Sequence, residues 1–411
     1  MTDSAAVSPD AGDSRLQGRG LSLLLSACSA MGPVSTLMML PALPAIRDEF
    51  GASTAATQSV ISFFLFAFAA GIPLAGPLSD RYGRRPLLLG GLLVFALGSA
   101  LAVFAPTLEI LVFARIIQAL GCAANMTVAR AVVGDIYRDW RLPKALAQLT
   151  LGMMIGTTVA PYFGALITES LGWHAPFALL LLVSLLLTAA VGRLLPETRV
   201  QSQAAMTLGQ VAQASAQVLR NRQFLGCAID SGVIYALYLG FISVAPYVMS
   251  EMLGRPATDF GLYVMLLSAG YFLGNLYVAR QARSVNMARV ARFGIILQAA
   301  SACLALGLVL AGLTHPVYWF LPMLPLAFAQ GLALPHITAV AVRMVPGYAG
   351  VASSLIGFAQ QVIAAAGVQA LGFVRTDTPL PVLTFCAALA MVSLAGMWLL
   401  REASEKGVPP P

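Results

Sequence analysis

Long, almost uninterrupted apolar runs follow one another along the whole chain, separated by short turns. A helix needs about 20 apolar residues to cross the hydrocarbon core of a bilayer. The 411 residues are 59% apolar and only 10% charged, whereas soluble domains carry roughly 25% charged residues. The strands of a membrane barrel would alternate apolar and polar residues, and these runs do not. The sequence therefore predicts an all-α integral membrane protein.

Twelve of these runs are long enough to span a membrane, and we number them in chain order as spans 1 to 12. Their ends are placed to within about four residues. The predicted spans are 20–44, 56–79, 86–105, 107–134, 144–168, 174–195, 223–249, 258–280, 290–312, 316–342, 348–371 and 379–400.

The longest polar interval, residues 196–222, divides the spans into two sets of six. Its Gln/Ala/Ser-rich middle carries Leu208, Val211, Val218 and Leu219 at near-helical spacing, so part of it is expected to lie along the membrane surface. The predicted domains are a disordered cytoplasmic tail (1–18), a first six-helix bundle (19–195), a cytoplasmic linker (196–222), a second six-helix bundle (223–401) and a second cytoplasmic tail (402–411).

Positive charge is distributed unequally between the two sides of the predicted bundle. With the N-terminus in the cytoplasm, all 24 Lys and Arg except Arg47, Arg115, Arg255 and Arg375 fall in or beside cytoplasmic loops. Loops on the cytoplasmic side carry such an excess. We therefore expect a multi-pass protein of a bacterial-type inner (plasma) membrane with both termini cytoplasmic. The net charge of +7 then reports orientation in a lipid bilayer, and no nucleic-acid partner is expected.

The residue types that build metal and nucleotide sites are sparse. The five cysteines all lie in predicted spans without metal-ligand spacing, as small buried side chains do. Three histidines and no cluster of carboxylates suggest no metal site. No phosphate-binding loop of the G-x-x-x-x-G-K-[ST] type is present, so ATP is not the expected energy source. We expect neither an enzyme nor a cofactor.

The densest charge cluster of the chain is the turn between spans 2 and 3, within Gly76–Gly91. It reads G-x-L-x-D-R-x-G-R-R, with glycines that permit a sharp bend. This run resembles the loop signature of the major facilitator superfamily and matches it at every fixed position. The resemblance implies twelve transmembrane helices in two six-helix bundles that work by alternating access. The implied gating residues are Gly76, Asp80, Arg81, Gly83, Arg84 and Arg85.

Two interpretations of Asp80 follow. It could belong to a surface ion network that only fixes topology, which contributes little free energy. In the superfamily this acid is thought to meet the N-terminus of the eleventh helix, here near Gly347–Ser354, where the helix dipole favours a negative charge. We favour the second interpretation, in which Asp80 is part of a latch that holds the cytoplasmic side shut.

Span 4 contains a cation, Arg115, within Leu-Val-Phe-Ala-Arg-Ile-Ile-Gln-Ala-Leu-Gly (111–121). A buried arginine in a membrane helix is a functional candidate by default. With Gln118 and Gly121 it resembles the superfamily motif R-x-x-Q-x-x-G, in which the arginine is associated with proton transfer. The alternative is a side chain that snorkels to the nearer surface.

Small residues recur along one face of span 5, at Gly152, Gly156, Ala160 and Gly164. Such a face lets a neighbouring helix approach closely. With Pro161, the run Ala-Pro-Tyr-Phe-Gly-Ala (160–165) resembles the antiporter motif Gly-Pro-x-x-Gly-Gly, although two glycines are alanines here. The resemblance implies export. Gly270 and Gly274 of span 8 offer a matching small face.

Two further runs narrow the resemblance to the bicyclomycin/chloramphenicol-resistance branch of the drug:proton antiporters. They are Leu-Pro-Ala-Leu-Pro-Ala-Ile (40–46) and Ala-Arg-Ala-Val-Val-Gly-Asp-Ile-Tyr (129–137). Relatives commonly carry an acid three residues before the first Leu-Pro, where this chain has Leu37. An apolar side chain binds neither a proton nor a cationic drug, so that part of the family mechanism does not carry over.

Other groups could carry a proton. Asp230 lies about two turns inside span 7, and its alternative role is an ion pair with Arg220 or Arg222 at the surface. His336 is the only histidine in the interior of a predicted span, and its alternative role is a hydrogen-bonded packing residue. The predicted proton or substrate path is Arg115, Gln118, Asp230 and His336.

A substrate cavity is expected between the two halves. Met and aromatic side chains suit varied apolar ligands, although such residues also pack helices or face lipid. The candidate lining residues are Met38, Met39, Asn125, Tyr235, Tyr238 and Gln361.

The expected function is secondary export of a small amphipathic or uncharged compound by a monomer, driven by the proton gradient. One alternative is the export of an endogenous metabolite or transport that is not coupled to protons. A more remote alternative is a membrane sensor built on a transporter scaffold.

Overall fold

A computed structural model of the chain describes residues 19–137, 141–199, 208–281, 287–313, 315–374 and 378–405. These ranges contain helices and turns and no strand. Eleven helices in them are long and apolar enough to cross a membrane, and Leu380–Gly396 adds a shorter apolar segment. The prediction of an all-α membrane protein is confirmed. The predicted tail 1–18 and residues 406–411 of the second tail lie outside the described residues.

The first half runs through seven helices. They are α1 Arg19–Met39, α2 Leu43–Phe50, α3 Thr54–Tyr82, α4 Arg84–Val103, α5 Leu108–Ile136, α6 Arg141–Leu171 and α7 His174–Leu194. A short 3-10 turn, Leu40–Ala42, joins α1 to α2, so the first span bends where its Leu-Pro repeat lies. Proline is tolerated there because the first turn of a helix leaves its N–H groups unpaired.

The second half follows the linker helix α8, Leu208–Leu219. Its helices are α9 Arg222–Leu253, α10 Ala257–Gln281, α11 Met287–Leu310, α12 Val317–Phe320, α13 Met323–Arg343, α14 Ala349–Leu371 and α15 Leu380–Glu405. The predicted tenth span is interrupted, because α12 and α13 are separated by two residues, Leu321 and Pro322.

One helix in each half ends in the same type of C-cap. Gly51 ends α2 and Gly254 ends α9, each with a left-handed φ of 56°. Glycine adopts this conformation without the steric penalty that other residues pay. The helices α2 and α9 therefore end in the same way.

Two faces of the molecule are distinguished by the turns that they carry. We call the side with the start of α1, the α3–α4 turn and α8 the linker face, and the side with the α2–α3 and α9–α10 turns the distal face. The halves meet where α3 packs on α14 and α6 packs on α10. Large apolar side chains cover the outer surface, as contact with lipid requires. Examples are Leu93, Leu97, Phe113, Leu186, Phe293 and Ile296.

The small residues of α6 lie against two different helices. Gly152 approaches Ser26 of α1 so closely that an added Cβ would lie 2.6 Å from the Ser26 Cβ. A Cβ on Gly156 would lie 3.2 Å from Val34 of α1, and one on Gly164 would overlap the backbone of Met38. These three glycines therefore bring α6 against α1 within the first half.

The contact of α6 with the second half uses another glycine. A Cβ on Gly261 of α10 would lie 2.8 Å from the Cα of Tyr162 and 2.9 Å from the carbonyl oxygen of Pro161. Gly270 and Gly274, predicted to offer the matching face, instead pack against α13 at Leu324 and Phe328. Regularly spaced glycines predict that another helix packs closely against that face, but they do not identify which helix it is. The partner depends on how the helices are arranged in the bundle.

Candidate functional site

A cavity of about 180 Å³ lies between the two halves. Residues of α1, α6, α9, α10 and α13 line it, and every lining side chain is uncharged. The lining combines hydroxyl, amide, thioether and apolar groups. The lining residues are Pro33, Thr36, Leu37, Thr150, Met153, Met154, Thr157, Thr158, Tyr235, Tyr238, Leu239, Ser268, Tyr271, Phe272, Asn275 and Gln330.

A larger cleft of about 380 Å³ lies elsewhere, between α10, α11 and α13. All of its lining residues belong to the second half, and Tyr277 and Phe293 at its edge are exposed on the outer surface. A site inside one half does not change its accessibility when the halves move relative to each other. The cavity between the halves is therefore the better candidate.

Hydrogen bonds close the distal side of this cavity. Gln58 of α3 donates to the carbonyl oxygen of Ser243 in α9 at 2.9 Å. Ser62 donates to Gln369 of α14 at 2.5 Å, and the Gln369 amide donates to the carbonyl oxygen of Ala55 at 3.0 Å. These bonds join α3 to both α9 and α14.

An ion pair reinforces the same closure. Arg47, near the end of α2, contacts Glu251, near the end of α9. Its guanidinium also lies over the ring of Tyr247, 5.4 Å from the ring centre. The polar contacts between the halves thus cluster at the distal face, and the cavity lies on the linker side of them.

Two of the predicted lining residues, Tyr235 and Tyr238, face the cavity. The Tyr238 hydroxyl lies 3.3 Å from the hydroxyl of Ser268 on α10. Leu37, at the position where relatives carry an acid, also lines the cavity. The apolar substitution noted in the sequence therefore lies in the cavity wall itself.

The other four predicted lining residues lie outside this lining. Met38 and Met39 are buried in an apolar core to which both halves contribute. Asn125 is buried against Gly91 of α4, and Gln361 is half-buried on α14. Neighbouring residues on a helix point about 100° apart. Because Leu37 faces the cavity, Met38 and Met39 are turned away from it.

Arg115 of α5 is fully buried and held by neutral groups. It donates to the Ser35 hydroxyl at 2.5 Å and to the carbonyl oxygen of Val60 at 3.3 Å. Its guanidinium lies 4.0 Å from the ring centre of Phe64 and 5.9 Å from that of Phe177. The side chain therefore packs into the first half and does not snorkel to the surface.

Gln118 extends this network. Arg115 donates to its side-chain oxygen at 2.8 Å, and the Gln118 amide donates to the Ser99 hydroxyl of α4 at 2.7 Å. The second terminal nitrogen of Arg115, Nη2, has no hydrogen-bond partner. No carboxylate takes part in these contacts, so the charge of Arg115 is stabilised by dipoles and aromatic faces.

Sequence reasoning missed a second cation within α5, Arg130. It lies six residues before the end of the helix, yet its side chain is exposed. Its electrostatic neighbour is Tyr271 of α10, which lines the cavity from the other half. A Cβ built on Gly134, one turn further along, meets nothing within 4 Å. Arg130 itself is not one of the residues that line the cavity.

The predicted gating residues form an ion network inside the first half. Arg84 contacts Asp80 at 2.6 Å and Asp135 of α5 at 2.9 Å. Arg85 donates to the carbonyl oxygen of Gly192 at 2.6 Å, and Arg81 lies over the Tyr82 ring at 5.3 Å. In the described contacts Asp80 pairs within its own half and not with α14.

The α3–α4 turn is closed by Gly83 and capped by Glu197. Gly83 has a φ of 101° and no side chain with which to cap α4. Glu197 accepts hydrogen bonds from the backbone N–H groups of Arg84 at 2.9 Å and Arg85 at 3.2 Å. A Cβ on Gly83 would lie 2.6 Å from this carboxylate. Gly76, by contrast, has open space around its Cα.

These hydrogen bonds affect the pKa of Glu197. Partial burial acts to raise the pKa of its carboxyl group, but the backbone N–H groups of Arg84, Arg199, Arg85 and Thr198 outweigh burial and hold the pKa below its ordinary value. Glu197 is therefore an ionised cap at neutral pH.

Asp230 of α9 is 5% exposed and faces α15. Neither carboxylate oxygen accepts a hydrogen bond, although Ser393 of α15 lies close. No ion pair joins Asp230 to Arg220 or Arg222, all three of which lie in described segments. Asp230 lies outside the cavity lining. It is a buried carboxylate without a counter-charge.

His336 of α13 is 5% exposed, and its Nδ1 lies 2.6 Å from the carbonyl oxygen of Leu332 in the same helix. This is the geometry of a packed, hydrogen-bonded histidine. Within the described ranges, no group of three His, Cys, Asp or Glu is placed to hold a metal ion.

Comparisons with known proteins agree with the sequence motifs. The sequence profile of a family described as Major Facilitator Superfamily matches residues 23–368. A chloramphenicol resistance protein of Pseudomonas aeruginosa is 29% identical over 94% of this chain and 91% of its own length. A bicyclomycin resistance protein homolog of Haemophilus influenzae is 25% identical over 93% and 96%. Multidrug resistance protein D of Escherichia coli is 25% identical over 85% and 87%.

Proposed function

Since the chain belongs to the Major Facilitator Superfamily and is a multi-pass membrane transporter, we propose that it exports small amphipathic or uncharged compounds in exchange for protons. The names of its bicyclomycin-, chloramphenicol- and multidrug-resistance relatives support efflux. We place it in the inner membrane as a monomer with the linker face and both termini in the cytoplasm, because basic residues concentrate on that face.

One observation carries this proposal: the cavity is shared by the two halves and closed at the distal face by contacts between them. Alternating access requires a site that both halves enclose and that opens when they move. Sites for drug-sized ligands usually have volumes of about 300–1,000 Å³, and this cavity has about 180 Å³. The substrate is therefore small, or the halves separate further to admit it.

For the proton, we propose Asp230 as the carrier. It is the buried carboxylate of the second half that has neither a counter-charge nor a hydrogen-bond donor. Ionisable groups inside membrane helices commonly belong to proton relays. Arg115 and Gln118 would set the electrostatics of the first half, while His336 is already engaged with Leu332.

The test is proton flux driven by substrate in everted membrane vesicles, with chloramphenicol as the probe. We expect chloramphenicol to release protons from vesicles with the wild-type protein. We expect Asp230→Asn to abolish this release and His336→Gln to leave it within about two-fold, because a single hydrogen bond contributes about 1 kcal/mol. Normal proton release by Asp230→Asn would exclude Asp230 as the carrier.

The second candidate function is transport that is not coupled to protons, including export of an endogenous metabolite. The position of Leu37 in the cavity wall, where relatives carry an acid, favours it. Drug accumulation in cells with and without a protonophore separates the two, because only coupled export is abolished by the protonophore. If the protein were a sensor on a transporter scaffold, its presence would not change drug accumulation, either with or without the protonophore.

A further inference from the structure

Gln330 of α13 brings an unpaired hydrogen-bond acceptor to the wall of the cavity. Its side chain is one of the lining groups and is 1% exposed. Its side-chain oxygen, Oε1, has no hydrogen-bond partner among the described residues. A buried acceptor without a partner is unfavourable, because it has given up its hydrogen bonds to water. A donor on a ligand in the cavity would restore the missing bond.

Close packing of α13 on α10 fixes the position of Gln330. A Cβ on Gly331, the next residue, would overlap the carbonyl oxygen of Tyr271 and lie 3.1 Å from the side-chain nitrogen of Asn275. The two helices therefore approach closely at this level, and Gln330 shares the cavity wall with Tyr271 and Asn275. The Asn275 amide is already engaged, since it donates to the carbonyl oxygen of Tyr271 at 3.0 Å.

The opposite wall, formed by α1 and α6 of the first half, offers no hydrogen-bond donor of its own. Each of its four threonine hydroxyls donates to a carbonyl oxygen three or four residues earlier in the same helix, at 2.8–3.1 Å. Its other lining side chains are apolar or thioether groups. A ligand therefore meets oxygen lone pairs and apolar surface on this wall. The four threonines are Thr36, Thr150, Thr157 and Thr158.

We infer that Gln330 is a specificity-determining residue of the cavity, and that the transported compound is an uncharged molecule whose hydroxyl or amide N–H donates a hydrogen bond to Gln330 Oε1. This inference rests on the proposed function and specifies its substrate class. The lining carries no charge, so recognition depends on hydrogen bonds and apolar contact. A site with a buried hydrogen-bonding group rejects an analogue that leaves this group unpaired. Ethers and tertiary amides, which have no donor, are therefore disfavoured.

The other lining groups accommodate the rest of such a molecule. Leu37, Met154 and Leu239 provide apolar and deformable surface for its body. The hydroxyls of Tyr238 and Ser268 lie 3.3 Å apart, so one hydrogen joins them and the other is left for an acceptor on the ligand. Alcohols and ethers can both accept this hydrogen. The two classes differ only in the donor that Gln330 requires.

The test uses two uncharged isomers with one aromatic ring: 4-phenylbutan-1-ol, which has a donor, and 3-phenylpropyl methyl ether, which has none. Binding to the full-length protein in nanodiscs is measured by calorimetry without any gradient, and the signal of empty nanodiscs is subtracted to remove partition into lipid. We expect the wild type to bind the alcohol about ten-fold more tightly than the ether, because only the alcohol pairs the buried acceptor.

Gln330→Met replaces the amide by an apolar side chain of similar length. It should abolish the preference for the alcohol and leave ether binding within about two-fold of the wild type, because the ether makes no bond to Oε1. Retained ether binding also shows that the variant is folded. Gln298→Met is the matched control, since Gln298 of α11 is likewise 1% exposed with an unpaired side-chain oxygen but lies outside the cavity lining. It should leave the preference unchanged.

The inference is overturned if the wild type binds neither isomer, if the ether binds as tightly as the alcohol, or if Gln330→Met weakens both isomers equally. Binding without a gradient does not depend on export or on proton coupling. A preference for the alcohol in nanodiscs with no export in cells would refute the proposed function alone. Export in cells without this preference would refute only the role of Gln330.

Discussion

Arg115 shows how one buried charge is accommodated without a counter-ion. Three neutral acceptors and two aromatic rings surround it. The Gln118 amide also donates to Ser99, and the carbonyl oxygen of Val60 lies within α3. Taking a charge out of water costs several kcal/mol even after relaxation. Burial of the Arg115 charge is therefore unfavourable for stability, and the contacts around it offset only part of that cost.

This balance predicts an unusual order of stability. Arg115→Met removes the desolvated charge and packs against Phe64 and Phe177, so we expect its thermal unfolding temperature in detergent to equal or exceed that of the wild type. Arg115→Lys keeps a charge but loses the guanidinium fork and should unfold several degrees lower. We expect transport to be lost in both.

Differential scanning fluorimetry and a vesicle transport assay measure the two effects. Arg193→Lys, at an exposed site of α7, serves as the matched control. A lysine variant as stable as the wild type would show that the fork is not what stabilises the charge.

At the scale of one helix, α4 begins without a cap of its own, and Glu197 supplies one from beyond α7. A carboxylate at an exposed helix N-terminus contributes about 0.3–1 kcal/mol. Because the pKa of Glu197 is lowered by folding, its contribution is fully present above the unfolded pKa and is lost as the pH falls through the folded pKa.

We therefore expect Glu197→Gln to lower the thermal unfolding temperature by a few degrees at pH 7, in proportion to the lost cap. The difference from the wild type should begin to shrink as the pH falls below about 4.5, the ordinary pKa of a glutamate, and should disappear once the pH lies below the lowered pKa of the folded protein. Unfolding curves of both proteins at several pH values provide the measurement. A difference that stays constant down to pH 3 would mean that the cap does not depend on charge.

The sequence predicts the helices well, because continuous apolar runs mark the spans directly. It misses the interruption at Leu321 and Pro322, since a short break in an apolar run leaves the hydropathy high. The cavity is harder to predict. In a run that is apolar on all sides, the pattern does not fix the rotation of the helix, so Met38 was expected in the lining that Leu37 occupies.

Some features missed by the sequence reasoning did leave a signal. Arg130 is a charged residue inside a predicted span, which is itself unusual. The roles of Tyr271 and Asn275 carried no such signal, because their place in the cavity depends on how α10 packs against α6.

For the whole molecule, the distal closure and the predicted Asp80 latch belong to two different conformations that are in equilibrium. In the described conformation the halves are joined at the distal face, and Asp80 pairs with Arg84 inside one half. The latch between Asp80 and α14 would then form only when the distal face opens. The two contacts would alternate as the halves move about the central cavity.

This alternation predicts opposite effects for two variants. Arg47→Gln removes the Arg47–Glu251 pair and should favour opening of the distal face. Asp80→Asn should leave membrane insertion intact, keep the distal face closed and depress transport. A partly exposed ion pair contributes up to about 1 kcal/mol, which changes the ratio of two conformations by up to about five-fold.

Spin labels measure the shift directly. With the five native cysteines replaced, labels at Pro106→Cys and Pro256→Cys report the separation of the two halves at the distal face. We expect the longer-distance population to grow in Arg47→Gln and to fall in Asp80→Asn. Arg255→Gln is the matched control, because Arg255 pairs with Asp259 within one half of the same face, at 3.4 Å. An equal change in Arg47→Gln and Arg255→Gln would show that surface charge in general, and not the contact between the halves, sets the balance.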